Sequence, residues 1–282
     1  MGVRLVLVAD DLTGANDTGV QFTKHGLETV VITDLASLPR AMKEAEVVVV
    51  DTETRGCAPD TSYNKLRRVG EEVKKIGAPV IYKKIDSTLR GNIGQELDAL
   101  MDALNMESSA IAPAYPANRR VTVGGYQLVD QVPVSITEAS KDPSTPVTCS
   151  HVPTLLESQT KRRVYSIGLS KVMDGPRLEN ELRKVKAGGG VCVLDSATQS
   201  DLRRIARALS RVGWTGLISG PAGLASELPE AFGMVRTRPG VAIWGSMSGV
   251  AMLQLKRAEA VMEIRAVELD LSRLLRCKDR DE

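Results

Sequence analysis

Histidine is nearly absent from this 282-residue chain, which has only His25 and His151. A zinc site or a Ser-His-Asp triad therefore has very little to draw on, and any general base must be a carboxylate or a lysine. The four cysteines, Cys57, Cys149, Cys192 and Cys277, are far apart and form no CxxC or Cys/His ligand pattern. They read as reduced, mostly structural thiols, and no metal site of the protein's own is expected. Aromatic residues make up 3% of the chain, with no basic stripe among them. That argues against a stacking platform for single-stranded nucleic acid, and no nucleic-acid partner is expected. No apolar run approaches the roughly 20 residues of a membrane helix. The N-terminus also lacks the basic region, apolar stretch and small-residue cleavage site of a signal peptide. A soluble, cytoplasmic protein with no membrane partner is the expectation.

The length is enough for about two domains, each with a sizeable core. Strand-like runs fall at residues 3–8, 29–33, 47–51, 80–85 and 110–112, and again at 164–168, 191–195, 217–219, 241–244 and 266–269. Most are continuous and β-branched, and stretches with helical spacing separate them. This pattern predicts an α/β protein of two domains, each with a mostly parallel sheet flanked by helices. Residues 122–150 carry three prolines and short alternating pieces and read as a hairpin or long ordered loop. The boundary is placed near Val152, giving domains 1–151 and 152–282. The halves differ in charge: residues 1–150 have 16 Lys and Arg against 20 Asp and Glu, a net −4, and the remainder has 21 against 15, a net +6. A phosphorylated ligand would suit the second half.

The most informative block is Ala9-Asp10-Asp11-Leu12-Thr13-Gly14, which follows the first strand and leads into a helix. In an open parallel sheet the carboxyl ends of the strands are where ligands bind. Two adjacent carboxylates therefore sit at a ligand edge, beside a hydroxyl on Thr13 and a helix N-terminus that favours anions. The pairing suits a polyhydroxylated acid, although an Asp N-cap with a Thr-Gly turn uses the same residue types. A second block, Lys83-Lys84-Ile85-Asp86-Ser87-Thr88-Leu89-Arg90, also lies between a strand and a helix. Lys84 and Arg90 are candidates to neutralise a carboxylate, with Asp86 and Ser87 for hydroxyls. Here too a Ser or Thr cap with solvated cations is the plainer alternative. A third cluster, Asp51 to Arg55, follows another strand, and Arg55 joins the substrate-binding candidates.

The segments ADDLTGANDTGVQF, KKIDSTLRGN, APAYPANRRVTVGGY and TPVTCSHVPTLL, in this order, closely resemble the four-carbon acid sugar kinases. The resemblance covers essentially the whole chain. It implies an ATP-dependent kinase that phosphorylates the terminal hydroxyl of threonate, erythronate or 3-oxo-tetronate. It further implies an N-terminal domain for the acid, a C-terminal domain for ATP with its Mg2+, and a cleft between them. Asp10 and Asp11 are then the candidates for the base or the hydroxyl-orienting carboxylate. Residues 241–248, VAIWGSMS, look like the first nucleotide-binding segment, with Gly245, Ser246 and Ser248 offering amides and hydroxyls to phosphate. Family members run roughly half as long again and add further glycine-rich loops. The second half of an ATP site is therefore expected to be missing here, and a sugar-acid binding protein without catalysis is the alternative. A dinucleotide-dependent oxidoreductase fits poorly, because DDLTGANDTG replaces the GxGxxG turn after the first strand. The expected partners are small molecules, and the sequence leaves room for a homo-oligomer.

Overall fold

The computed structural model describes residues 3–236 and 248–261. Its first strand, β1 (Leu5–Ala9), is buried at every position. α1 (Leu12–Thr23) follows at once, because the Asp11 carboxylate accepts the Gly14 amide at 3.0 Å and caps the helix. β2 (Thr29–Ile32), α2 (Leu38–Glu44) and β3 (Val47–Asp51) complete one side of the fold. α3 (Pro59–Ile76) begins with Pro at its first position and stops at Gly77, whose φ of +82° suits glycine. β4 (Val80–Lys84), α4 (Ile93–Leu104) and β5 (Ser108–Ile111) come next.

β6 (Arg120–Val123), β7 (Tyr126–Val129) and β8 (Val132–Pro133) form a small antiparallel sheet, matching the hairpin read from residues 122–150. α5 (Val152–Gln159), β9 (Val164–Ile167), α6 (Leu169–Val172), α7 (Gly175–Gly188) and β10 (Gly190–Leu194) follow. α8 (Gln199–Arg211) opens with a capping box in which Thr198 and Asp201 satisfy each other's backbone amides. β11 (Leu217–Gly220), α9 (Ala222–Ala225) and α10 (Leu228–Ala231) follow, and α11 (Gly249–Val261) is the element described in residues 248–261.

The eight strands of the large sheet run in the order β2-β3-β1-β4-β11-β5-β10-β9, and every pairing is parallel. Both faces are covered, as continuous apolar strands require. Leu5, Leu7 and Ala9 face one core with Ile218, Cys192 and Leu202, while Val6 and Val8 face the other with Leu66, Leu97 and Val193. The α/β class and the parallel sheet are as expected.

The division expected at 151/152 is corrected by this topology. β9, β10 and β11 all come after it and all join the same sheet, with β11 inserted between β4 and β5. The two compact units are residues 1–238 and 239–282. An apolar parallel strand does not record in its own residues which sheet it will join, and the hairpin or ordered loop expected at 122–150 falls just before the expected boundary. Instead, the hairpin is fastened to the sheet. Thr122 and Ser196 exchange backbone hydrogen bonds of 2.9 and 2.8 Å, and the Asp195 carboxylate accepts the amides of Gly124 and Gly125. The strands expected at 241–244 and 266–269 lie outside the described residues.

Candidate functional site

The chain leaves β1 toward β2 on one side, whereas it leaves β4 toward β5 on the other. The loops after these neighbouring strands therefore diverge, and a crevice opens outside their carboxyl ends, where open α/β sheets take ligands. Asp10 and Asp11 stand on one lip, and Lys84, Asp86, Ser87 and Arg90 follow the other. A hollow of about 240 Å³ at this edge is lined by Asp10, Asp11, Leu12, Glu53, Arg55 and Gly56. The loops after β3 and β4 each hold a non-glycine residue in the left-handed region, Glu53 at φ +45° and Leu89 at φ +65°. Such backbone is costly and is tolerated where the surroundings enforce it.

Arg55, from the loop after β3, ties the two aspartates together. Its Nε and Nη2 donate to Asp10 at 2.8 and 3.0 Å, and its Nη1 and Nη2 donate to Asp11 at 2.8 and 2.6 Å. Burial alone would push the Asp10 carboxyl up. The charge of Lys83 and the hydrogen bonds from Arg55 outweigh it and hold Asp10 below the usual range. The Asp10 side chain is 4% exposed and that of Asp11 27%, so Asp11 is the one open to the crevice. Thr13 is exposed on the first turn of α1.

Asp86 accepts from Arg90 Nε at 2.7 Å and from the Thr88 hydroxyl, and Arg90 Nη1 donates to Asp142 at 3.1 Å. Against the effect of burial, Arg90 and Arg55 hold the Asp86 carboxyl well below its ordinary value. A substrate carboxylate at Arg90 would have to displace one of these two partners. Lys84 differs: it is 5% exposed, yet among the described residues no hydrogen bond or ion pair reaches its ammonium. Burial lowers its proton affinity, and the nearby charges of Asp10, Asp86 and Asp11 offset this only in part. Its Nζ and Asp11 Oδ1 both lie 2.5 Å from where a Cβ on Gly14 would sit, so only glycine leaves this corner open. The Ser87 hydroxyl is buried and accepts from Arg120 Nη1 at 3.1 Å.

Several neighbours were given no individual role by the sequence reading. Lys83, adjacent to Lys84 and expected in solvent, is fully buried and pairs with Glu96 at 2.8 Å. Glu96 also accepts from the Thr54 hydroxyl at 2.5 Å. Asp51, at the end of β3, has a buried Oδ2 without a partner among the described residues, and burial together with the charges of Glu53, Asp11 and Asp10 raises its carboxyl. The signal available in sequence was position: each lies at or beside a strand's carboxyl end, or one turn into the following helix. Of the expected nucleotide residues, Gly245 and Ser246 lie outside the described residues, and the Ser248 hydroxyl accepts the Ala251 amide at 3.2 Å as α11 begins.

Among the described residues no group of three or more His, Cys, Asp or Glu side chains could hold a metal ion, and no helix is long and apolar enough to cross a membrane. The Cys192 thiol is buried and pushed up to about 12, which makes it an inert core residue. A larger hollow of about 630 Å³ lies beside α3 and α4. Most of its charged walls satisfy one another, with Arg67 on Glu71, Lys75 on Glu72, and Tyr63 and Lys161 on Asp102, and Lys74 is the one lining cation with no ion pair among the described residues.

Residues 5–228 match the family described as the Sugar-binding N-terminal domain. The chain is 35% identical over 276 residues to a D-threonate kinase of Salmonella typhimurium, across 97% of this chain and 65% of that protein. It is 34% identical over 283 residues to a D-erythronate kinase of Heliobacterium modesticaldum, across 96% and 64% respectively. A solved structure from Bordetella bronchiseptica, described as a domain of unknown function with bound citrate and as a domain-swapped dimer, superposes with a TM-score of 0.72. It shares 33% identity and covers 82% of this chain and 58% of that one. The chain thus spans somewhat less than two-thirds of the length of these relatives. The resemblance carried by the four sequence segments is met by relatives named for the same acids.

Proposed function

From the chain's membership of the Sugar-binding N-terminal domain family, to which it belongs through residues 5–228, we propose that it binds a four-carbon sugar acid at the β1/β4 crevice. The reaction is transfer of a phosphoryl group from ATP to the terminal hydroxyl of threonate, erythronate or 3-oxo-tetronate. The observation that carries this reading is the crevice itself, where paired carboxylates pinned by Arg55 face a buried, unpartnered ammonium on Lys84. Carboxylates suit hydroxyls, and the ammonium suits the acid group. The names of the kinase relatives and the citrate bound by the Bordetella structure, itself a hydroxylated carboxylic acid, support it.

ATP with Mg2+ supplies the phosphoryl group when bound, and Gly245, Ser246 and Ser248 are the residues proposed to meet it. The remaining roles belong to the crevice. Asp11, the more exposed of the pair, takes the hydroxyl's hydrogen bond and then its proton. Asp10 anchors Arg55, which fixes the Asp11 carboxylate in place. Thr13 and Ser87 offer hydroxyls to the acid, and the Asp86–Arg90 pair holds the loop that carries Ser87. Holding the alcohol in line is most of what a kinase must do on the acceptor side.

Calorimetric titration with D-threonate and D-erythronate, followed by an ADP-release assay with each acid, tests the reading. Saturable binding of an acid, with turnover lowered about 10²-fold or more in Asp11→Asn, is the expected result. Binding without any turnover would make the chain an acid-binding protein, and no binding of either acid would refute the site.

A further inference from the structure

Four cations stand around the crevice, and the structure divides them. Arg55 is saturated by Asp10 and Asp11, and Arg90 by Asp86 and Asp142. Lys84 and Arg120 have no carboxylate within ion-pair distance among the described residues. We propose that Arg120, together with Lys84 and the Ser87 hydroxyl, grips the substrate's carboxylate, and that Arg90 is a loop anchor.

The chemistry of the three groups is one-sided. Arg120 Nη1 donates to Ser87 Oγ, and its Nε is buried with no acceptor. Because Ser87 Oγ accepts that bond, its own proton is left to give. Lys84 adds a buried ammonium with no acceptor. A cluster made only of unsatisfied buried donors is costly by itself, and an oxyanion with two acceptor oxygens satisfies it. Arg119, the adjacent residue, is a useful contrast: its side chain is 80% exposed and rests on Asp130.

Arg120 meets Ser87 directly, and Lys84 ends the strand whose following loop carries Ser87. Arg120 opens β6 and is held by two backbone hydrogen bonds with Tyr115, at 2.7 and 3.1 Å. Burial and the charge of Asp17 on α1 push the Tyr115 phenol up, against the charge of Arg120. Lys84 Nζ reaches Gly14, about one turn earlier on that helix. Gln127 Nε2 donates to the Ser87 carbonyl at 2.7 Å and fixes the Ser87 backbone from the hairpin side. The hairpin is thus what brings a guanidinium across from β5 to the β4 loop. A guanidinium fork matches a carboxylate with two parallel bonds, which an ammonium cannot do.

This inference rests on the acid-binding reading above, and one titration series separates the two. The full chain is titrated with D-erythronate, with erythritol as the neutral tetritol, and with inorganic phosphate. The parent is expected to prefer erythronate to erythritol by at least about tenfold. Arg120→Gln should weaken erythronate about tenfold while leaving erythritol unchanged, and Arg120→Lys should fall between. Arg90→Gln should lower the melting midpoint and reduce the preference for the acid less than Arg120→Gln. A parent that binds neither erythronate nor D-threonate overturns the substrate class and the grip with it. An Arg120→Gln variant that keeps the preference for the acid overturns the grip alone, as does one that loses only inorganic phosphate. Equal loss of erythritol and erythronate in both Arg120 variants makes the residue structural and also overturns it.

Discussion

Adding one methyl group at Gly14 should separate ligand binding from stability. Gly14 sits in the first turn of α1, and Gly→Ala in a helix ordinarily gains about 0.5–1 kcal/mol. The new Cβ would meet Asp11 Oδ1 and Lys84 Nζ, each at 2.5 Å, and Lys84 Cε at 3.1 Å. The two closest atoms end flexible side chains, so the clash is relieved by moving them. If Asp11 gives way, the cap on the Gly14 amide weakens, at a cost of about 0.5–2 kcal/mol. Gain and loss are of similar size, and the melting midpoint should shift by only a few degrees. Ligand binding has no such compensation. Displacing the ammonium removes a charge-assisted contact of about 1.5–3 kcal/mol, or about ten- to a hundredfold in affinity. Gly70→Ala is the control, because its Cβ would lie 2.6 Å from Ala103 Cβ where α3 packs on α4, far from any acid-binding group. It should destabilise by about 1–3 kcal/mol through overpacking and leave affinity intact. Urea melts and calorimetric titration with D-erythronate measure both quantities. If Gly14→Ala bound as tightly as the parent, the corner formed by Lys84, Asp11 and Gly14 would have no part in the site.

The buried Lys83–Glu96 pair should behave as a unit: Lys83→Met or Glu96→Gln alone leaves a partner charge or amide unmatched and should cost about 3–5 kcal/mol. Lys83→Met combined with Glu96→Leu should recover much of that in urea titration, and single variants each costing under about 1 kcal/mol would show that the pair is not a buried ion pair. Alkaline pH should loosen the acid. Burial depresses Lys84 below the ordinary 10.5 against the pull of Asp10, Asp86 and Asp11 and with the push of Arg55, so the folded chain sheds this proton before an unfolded chain does. Stability linked to Lys84 therefore rises with pH through the window below 10.5, while affinity for erythronate falls through the same window. Lys84→Met should show weaker binding with that alkaline fall removed, and an identical fall in the variant would assign it to another group.

Much of the framework was legible because continuous apolar runs give strands wherever the flanking residues break them. The reading at 47–51 coincides with β3, and those at 80–85 and 110–112 overlap β4 and β5. Even the plainer alternative for Asp11 holds, since it does cap α1, and the same carboxylate also faces the crevice. The boundary at 151/152 failed for a topological reason. β11 is separated from β4 and β5 by more than a hundred residues of chain, and only its insertion between them shows that one sheet spans the whole unit. For two consecutive lysines at the end of a strand, solvation was the plainer alternative to a ligand role, whereas burial on both faces of a parallel sheet leaves neither Lys83 nor Lys84 in water.

The four cations carry the same lesson into the site. In sequence, Arg55, Lys84 and Arg90 are equivalent, each a basic residue at or beyond the carboxyl end of a strand, and Arg120, at the start of β6, carries no mark that sets it apart from Arg119. What separates them is which carboxylates the fold delivers, and those come from distant segments. Asp142 comes from the loop beyond the hairpin, and Asp10 from the first strand. A cation that has met its carboxylate is spent on holding backbone, and one that has not stores the cost of burial until an anion arrives. Substrate affinity in such a crevice is therefore set by the pairs the fold leaves incomplete, so the residues that look most like ligands in isolation need not be the ones that bind.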